Sequence, residues 1–357
     1  MAKSGAFCSF SSTFFCCSMR SSYTNGGKAE KKSSLVDTFH RPIEYARIAV
    51  TSRCNLRCSY CMREEHEEKN DTLSTLQQQE IITIIEVLAD LGVTKIRFTG
   101  GEPLLRKDIV SIVRQAKKTP GIRTVGLTTN GLLLDPLLPN LIDAGLDALN
   151  FSIDTLDSKR YKNITRRDEY GRVRKNLDLL LTTTSLPVKL NVVLMRDVNS
   201  DELQQFVDLT KDHAVTVRFM ELQPFDDNQI WRTGKFLSAD KIGELLKSYY
   251  PELQTVKGHS TEYFSYTLPN HKGSIAIIPA FTRNFCSKCN KIRITSNGKI
   301  ISCLYEKEGM NLLPLLRNNS SNEAIADLFR QAVSYKPEDG KHAVSNSVRT
   351  SMSEIGG

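Results

Sequence analysis

Six cysteines in two sets of three carry the chemistry this sequence can do. Cys54, Cys58 and Cys61 stand in a CxxxCxxC spacing just after an apolar run. Cys286, Cys289 and Cys303 form a CxxC pair, a gap of thirteen residues and a further Cys. Three thiolates hold three corners of a four-iron, four-sulfur cube and leave the fourth iron open to a small ligand; a cube that only carries electrons takes four Cys. The competing assignment for each set is zinc. Structural zinc is normally four-coordinate, and neither set brings a fourth cysteine. On spacing alone the second set fits zinc and iron–sulfur equally, with His271 available as a fourth zinc ligand.

The rest of the composition narrows the setting. The chain has 357 residues, 40% of them hydrophobic, and nine cysteines, an odd number. That is not the even framework of a small secreted disulfide protein, and it points to reduced thiols in an intracellular compartment. No stretch approaches the roughly 20 apolar residues that cross a bilayer. The formal charge of +8 suits an anionic small molecule such as a nucleoside triphosphate or, less specifically, nucleic acid. Its Lys and Arg are spread along the chain, so neither nucleic acid nor a membrane is an expected partner. Residues 1–34 differ in kind. They are rich in Ser, Phe, Cys and Gly, and Lys3, Arg20 and Lys28 precede the first acid, Glu30. A basic, Ser-rich, acid-poor start is the composition of an organellar transit segment, and Cys8, Cys16 and Cys17 belong to it.

Apolar periodicity sets out the elements that must hold the cysteines. Short β-branched runs read as strands at Glu44–Thr51, Thr94–Thr99, Ile122–Thr129, Asp147–Ile153, Pro187–Met195 and Val215–Leu222. Amphipathic stretches between them read as helices at Leu73–Leu91, Leu104–Lys118, Pro136–Ala144, Arg172–Leu181 and Ser200–Lys211. Repeated strand–helix units build a parallel sheet with helices outside. The expected fold is an α/β, incomplete (β/α)6 barrel over residues 35–230. A region 231–357 carries the second cysteine set and closes the open side. In such barrels functional residues gather at the C-terminal strand ends, where Cys54, Gly100, Thr128, Ser152 and Gln223 fall.

The motifs resemble two nested families. Cys54 to Cys61 with Tyr60 before the last Cys, Thr99-Gly100-Gly101-Glu102-Pro103 at one strand end and Leu127-Thr128-Thr129-Asn130-Gly131 at the next resemble the radical S-adenosylmethionine (SAM) enzymes. The run from Phe285-Cys286 through Asn290, Arg293-Ile294-Thr295 and Cys303-Leu304, with the terminal Gly356-Gly357, is similar to the GTP 3′,8-cyclase family of molybdenum cofactor biosynthesis, from about residue 35 onward. The resemblance implies two four-iron, four-sulfur clusters, the SAM-binding one on Cys54, Cys58 and Cys61 and the second on Cys286, Cys289 and Cys303. It implies a SAM site at Tyr60, Gly101, Ser152 and Gln223. It implies GTP held by Arg47, Arg97, Thr128, Lys189, Lys291 and Arg293, with Gly356 and Gly357 entering the site.

The implied reaction abstracts hydrogen from C3′ of GTP and joins that carbon to C8 of guanine, giving 3′,8-cyclo-7,8-dihydro-GTP. The implied partners are an unidentified electron donor and, as the next enzyme, cyclic pyranopterin monophosphate synthase; a homodimer is possible. Two positions depart from the family. Lys291 stands where Arg is usual and loses its planar fork, and Gln223 stands where a methionine meets SAM. Another radical SAM enzyme with an auxiliary cluster, such as a peptide maturase, would share both triads but not the basic set or the Gly-Gly end.

The expected location is the mitochondrial matrix, with the cytoplasm as the alternative. A fluorescent reporter fused to residues 1–34 is expected to collect in the matrix, and uniform cytosolic fluorescence would refute that assignment.

Overall fold

In the computed structural model, the structure describes residues 34–61, 75–223, 234–256, 264–282, 286–306 and 308–340, together with Met352 and Ile355. Twelve strands are described: β1 (Tyr45–Ala49), β2 (Lys95–Thr99), β3 (Thr124–Thr129), β4 (Ala148–Ser152), β5 (Val188–Val193), β6 (Val215–Met220), β7 (Gln254–Val256), β8 (Phe264–Thr267), β9 (Ser274–Ile278), β10 (Lys291–Ile294), β11 (Lys299–Ile301) and β12 (Met310–Asn311). They form one sheet in the order β12-β11-β10-β1-β2-β3-β4-β5-β6-β9-β8-β7. The helices are α1 (Gln78–Asp90), α2 (Ile109–Lys118), α3 (Leu138–Asp143), α4 (Ser158–Thr165), α5 (Tyr170–Thr183), α6 (Leu203–Asp212), α7 (Ala239–Tyr249), α8 (Leu313–Arg317) and α9 (Asn322–Ser334). Among the described residues no helix is long and apolar enough to cross a membrane.

The six expected strands are present, and the parallel run is longer. β10 joins β1 and β9 joins β6, both in parallel, so eight strands run the same way. Antiparallel partners continue from each end, β11 beside β10 and β8 beside β9. The segment after residue 230 therefore extends both edges of one sheet, and the sheet stays open. β10 and β11 escaped the periodicity reading because runs such as Lys291–Ile294 are too short to show a period; α9 was missed although Ile325, Ala326, Phe329, Ala332 and Val333 recur at helical spacing.

The strands alternate in a way that ordinary parallel sheets do not. Both faces of a parallel sheet are usually apolar. Here the residues turned toward the helices are apolar and fully buried, as with Ile96 and Phe98, Leu149 and Phe151, Val217 and Phe219. Those turned inward are polar: Arg97, Asn150, Lys189, Asn191, Arg218 and Arg293 all line one cavity. Local signals fix the outer shell. Gln77 N donates to the Glu80 carboxylate at the start of α1, and Ile81, Ile84, Ile85 and Leu88 are buried along its face. The helix stops at Gly92, whose φ of +90° suits glycine.

Buried carboxylates hold the C-terminal strand ends together. Glu221, after β6, accepts from Ala239 N at 2.6 Å, Phe281 N at 2.6 Å and Thr282 N at 2.9 Å. It thus ties the start of α7 to the loop after β9. Glu102, after β2, accepts from Leu104 N, from the Thr129 hydroxyl and from Asn130 N at the end of β3. Glu202 accepts from Thr155 and Leu156 after β4 and pairs with Arg160.

Glu221→Ala strands three buried N–H groups and is expected to cost about 3 kcal/mol, lowering Tm by several degrees. Glu244→Gln, on the exposed face of α7, serves as the control that leaves Tm in place. Equal melting of the two variants would show that the staple contributes nothing.

Candidate functional site

One cavity of about 550 Å³ runs through the interior of the open barrel, and it collects what the sequence singled out. All six motif cysteines line it, and none of them forms a disulfide. Tyr60, Gly101, Ser152 and Gln223 line it, as do Arg47, Arg97, Thr128, Lys189, Lys291 and Arg293. Gly356 and Gly357 lie outside the described residues. Met352 lines the cavity and its N–H donates to Cys61 O at 3.2 Å, and Ile355 is buried.

The two cysteine sets occupy opposite ends of that cavity. Cys54 follows the C-terminal end of β1. Cys286 and Cys289 precede β10, which runs parallel to β1, and Cys303 follows β11, which runs back beside β10. The sets are therefore separated by the length of a five-residue strand, roughly 16 Å at about 3.3 Å per residue. The site is not confined to the C-terminal strand ends, because its second half sits at their N-terminal end. Arg47 is in register with both Arg97 and Arg293, which sets a row of guanidinium groups midway.

The first cysteine loop is braced by its neighbours. Gly101 N donates to Thr51 O at 2.8 Å and Glu102 N to Arg53 O at 2.7 Å. A Cβ on Gly101 would lie 2.1 Å from Arg53 O, so glycine is required for the loop to lie against this strand end. Arg57 N and Ser59 N donate to the last carbonyls of α4. Cys54 Sγ accepts from Leu56 N at 3.4 Å and from Asn130 Nδ2 at 3.8 Å. The Tyr60 hydroxyl donates to Asp154 at 2.6 Å, and Val193 N donates to the other carboxylate oxygen.

The two ends differ in electrostatics. Burial pushes the Cys54 thiol up to about 12, and the nearby Glu102 charge adds to it. Burial also pushes Cys58 well up, with Asp154 as the next cause. Burial raises Glu102 to about 7 and Asp154 to about 6 against the hydrogen bonds each accepts. At the other end, burial opposes ionisation of Cys289, but the charges of Lys336 and Lys291 outweigh it and the thiol lies below its ordinary value, whereas burial of Cys303 outweighs the Lys336 charge and raises it. In the first set Arg57 offsets only part of the upward push at Cys54, and an iron ion would supply the positive charge that favours the thiolates. Among the described residues no three His, Cys, Asp or Glu side chains are set to hold a single metal ion. Three thiols at each end of a cavity, on one loop at the first end and on two segments at the second, fit a cluster with one free corner.

Small ligands have buried partners waiting. Thr128 Oγ1, Asn150 Oδ1 and Gln223 Oε1 are buried at the cavity wall with no hydrogen-bond partner among the described residues. Arg97 is fixed by its bonds to the Tyr45 hydroxyl at 2.9 Å and Leu127 O at 3.0 Å. It lies across Gly126, where a Cβ would come within 2.8 Å of the guanidinium. Sequence reasoning missed Lys95, Asn150, Asn191 and Arg218, each a polar residue in phase with Arg97 on an otherwise apolar strand. It also missed Arg41, Asp154 and Lys336, for which no local pattern gives a signal.

The comparisons place these features in a lineage. Residues 48–210 match the radical SAM superfamily model and residues 215–342 match Molybdenum Cofactor Synthesis C. The chain is 52% identical to a GTP 3′,8-cyclase of Chlorobaculum tepidum over 92% of this chain and 99% of that protein. It is 37% identical to a mitochondrial GTP 3′,8-cyclase of Arabidopsis thaliana, covering 90% of this chain and 83% of the relative. Molybdenum cofactor biosynthesis protein 1 of Drosophila melanogaster is 41% identical over 86% of this chain, which spans 54% of that longer protein. Among solved structures, Streptococcus suis SuiB superposes with a TM-score of 0.55 at 17% identity, over 81% of this chain and 69% of its own. That likeness supports the fold alone.

Gly101→Ala pushes the Arg53 carbonyl away and should unseat the first cysteine loop. Anaerobic reconstitution is expected to yield about four irons per chain instead of about eight. Gly171→Ala, where an added Cβ meets nothing within 4 Å, should load fully. Full iron loading in Gly101→Ala would show that the loop tolerates the displacement.

Proposed function

We propose, from the premise that the chain belongs to the GTP 3′,8-cyclase family of the radical SAM enzymes, that it converts GTP to (8S)-3′,8-cyclo-7,8-dihydroguanosine 5′-triphosphate, the first step of molybdopterin synthesis. The observation that carries this reading is the single cavity with a cysteine triad at each end and a row of cations between them. Cys54, Cys58 and Cys61 would hold the cluster that binds SAM, and Cys286, Cys289 and Cys303 the second cluster. Bound there, the first cluster and SAM supply a 5′-deoxyadenosyl radical.

The chain's own residues bind, orient and exclude. Arg47, Arg97, Lys189, Lys291 and Arg293 offer charge-assisted bonds to a triphosphate. Arg97 and Arg47, adjacent in register, hold it away from both ends, so the ribose is oriented toward the first triad and the base toward the second. C3′ and C8 belong to one molecule, and fixing the ribose and base in one pose holds these two atoms in the orientation that ring closure needs. Thr128 and Asn150 meet the sugar or base with atoms that are otherwise orphaned, and such atoms penalise a substrate that leaves them unpaired. Tyr60 is held by Asp154 against the first cysteine loop, where it packs beside SAM together with Gly101, Ser152 and Gln223. Lys291 keeps the charge of the usual Arg without its fork. The enclosed interior keeps water from reactive intermediates. We place the enzyme in the mitochondrial matrix on the composition of residues 1–34 and the mitochondrial relative.

Anaerobic turnover with GTP and SAM, with the product identified by mass spectrometry, tests the reading in three proteins. The wild-type chain should form the cyclic triphosphate. Cys54→Ala should abolish SAM cleavage, since the first triad has no spare ligand. Deleting Gly356-Gly357 should preserve both clusters and SAM binding while GTP cyclisation collapses. Two glycines can thread where a Cβ cannot, and Met352, a few residues before them, is bonded to the cysteine loop. Full turnover by the truncated chain would reduce the tail to a terminus, and a wild-type product other than the cyclic triphosphate would sink the assignment.

A further inference from the structure

Two buried cations surround the second cysteine set, and neither is needed by the substrate contacts above. Arg41 is 6% exposed and Lys336 3%. Arg41 donates to the carbonyls of Cys286 at 2.8 Å, Glu338 at 2.7 Å and Pro337 at 2.7 Å, and it is paired with buried Asp37. Lys336 donates to Lys291 O at 2.8 Å and to Ser302 O. Lys291 lies two residues after Cys289, and Ser302 immediately precedes Cys303. Each of the three cysteine segments is thereby bonded, through a backbone carbonyl, to a buried cation. The two cations are linked as well, since Arg41 grips the two residues that follow Lys336.

Asp37 neutralises much of the Arg41 charge. The hydrogen-bond partners of Lys336 are neutral carbonyls, so its charge stays available to its surroundings. Burying an ammonium on carbonyls alone is costly, and a nearby anion would offset that cost. The Glu306 carboxylate, bonded to Ser302 and Cys303, is one such anion, and a cluster held by three thiolates is a second. The first triad has the carboxyl groups of Glu102 and Asp154 as neighbours, and the second has the Glu306 carboxylate, which accepts from Ser302 N and Cys303 N. Charge near a cluster shifts its potential, because a neighbouring cation favours the more negative, reduced form.

We propose that Arg41 and Lys336 are positioning residues of the second triad: together they hold its three ligand segments, and the Lys336 charge raises the reduction potential of the cluster bound there. The proposal rests on the second-cluster reading above.

The test uses the full-length chain with Cys54, Cys58 and Cys61 all changed to Ala, so that only the second triad can hold iron. After anaerobic reconstitution, iron and sulfide are counted, and the midpoint potential is read by electron paramagnetic resonance during a redox titration. Lys336→Gln keeps a hydrogen-bond donor and removes the charge, and Lys336→Arg keeps the charge. The expected result is a cluster in all three proteins. The midpoint moves to more negative potential in Lys336→Gln and stays near the parent value in Lys336→Arg. Loss of iron in Lys336→Gln but not in Lys336→Arg also supports a requirement for the charge. An unchanged midpoint in Lys336→Gln overturns the proposal. Loss of iron from both variants supports the holding of the ligand segments by Lys336 and overturns the role of its charge. A parent that binds zinc or no metal instead brings down the second-cluster reading itself, an outcome separable from both.

Discussion

The structure depends on how backbone N–H groups are satisfied where parallel strands end. Eight strands stop at the same rim, and each hands over to a loop whose donors would be buried without partners, at a cost of about 1–3 kcal/mol each. The protein meets this with carboxylates. Glu102, Asp154, Glu202 and Glu221 are all nine-tenths or more buried, and each accepts from a neighbouring strand end or loop. Asp154 accepts from Val193 on β5 and from Tyr60 in the cysteine loop, which makes that loop part of the same belt. An open barrel lacks the closing strand pair that would lock its rim, and the carboxylates provide a lock between adjacent loops.

That solution has an electrostatic consequence. Carboxylates at the rim give the first triad anionic neighbours, and the opposite end of the cavity collects Arg41 and Lys336. Between them the inward faces of β1, β2, β5, β6 and β10 present Arg and Lys. A substrate carrying several negative charges is drawn to the middle and the cationic end. The acidic rim suits a cofactor whose reacting atoms are not anionic. The strand alternation that makes this possible has its own cost, because a parallel sheet gives up an apolar inner face. The apolar packing therefore moves outward, to the interface with α1, α2, α5 and α6, where Ile85, Ile112, Leu177 and Phe206 are fully buried.

Much of this was legible because its signals are local. The CxxxCxxC and CxxC spacings, the Thr99–Pro103 strand end and six strand–helix alternations are each contained in a short window. Arg97 and Lys189 were found through the family resemblance, yet their strands also announce them: a charge between Ile96 and Phe98, or between Val188 and Leu190, must face a polar interior. The same reasoning would have found Arg218 and Asn150. Arg41 and Lys336 could not be read this way. Their role exists only once residues 41, 286 and 336 meet in space, and the partners that link them to the cysteine segments are backbone carbonyls, which leave no trace in a sequence. The same holds for the places of β9 and β10, since strand order beyond neighbouring βα units is set by packing and not by period.

The placement of β10 is what turns two cysteine motifs into one site. A C-terminal segment covering the rim would have set both triads at the same end, with no room between them for an elongated ligand. By running parallel to β1, β10 puts its preceding cysteines at the bottom of the sheet while the cysteines after β1 stay at the top. The same pairing brings Arg293 beside Arg47, so the cation row and the distance between the triads come from a single strand register. A one-residue slip of β10 would turn Lys291 and Arg293 toward the helices and Ile292 and Ile294 into the cavity. The burial of those two isoleucines therefore fixes the register, and with it the charge row along the cavity wall.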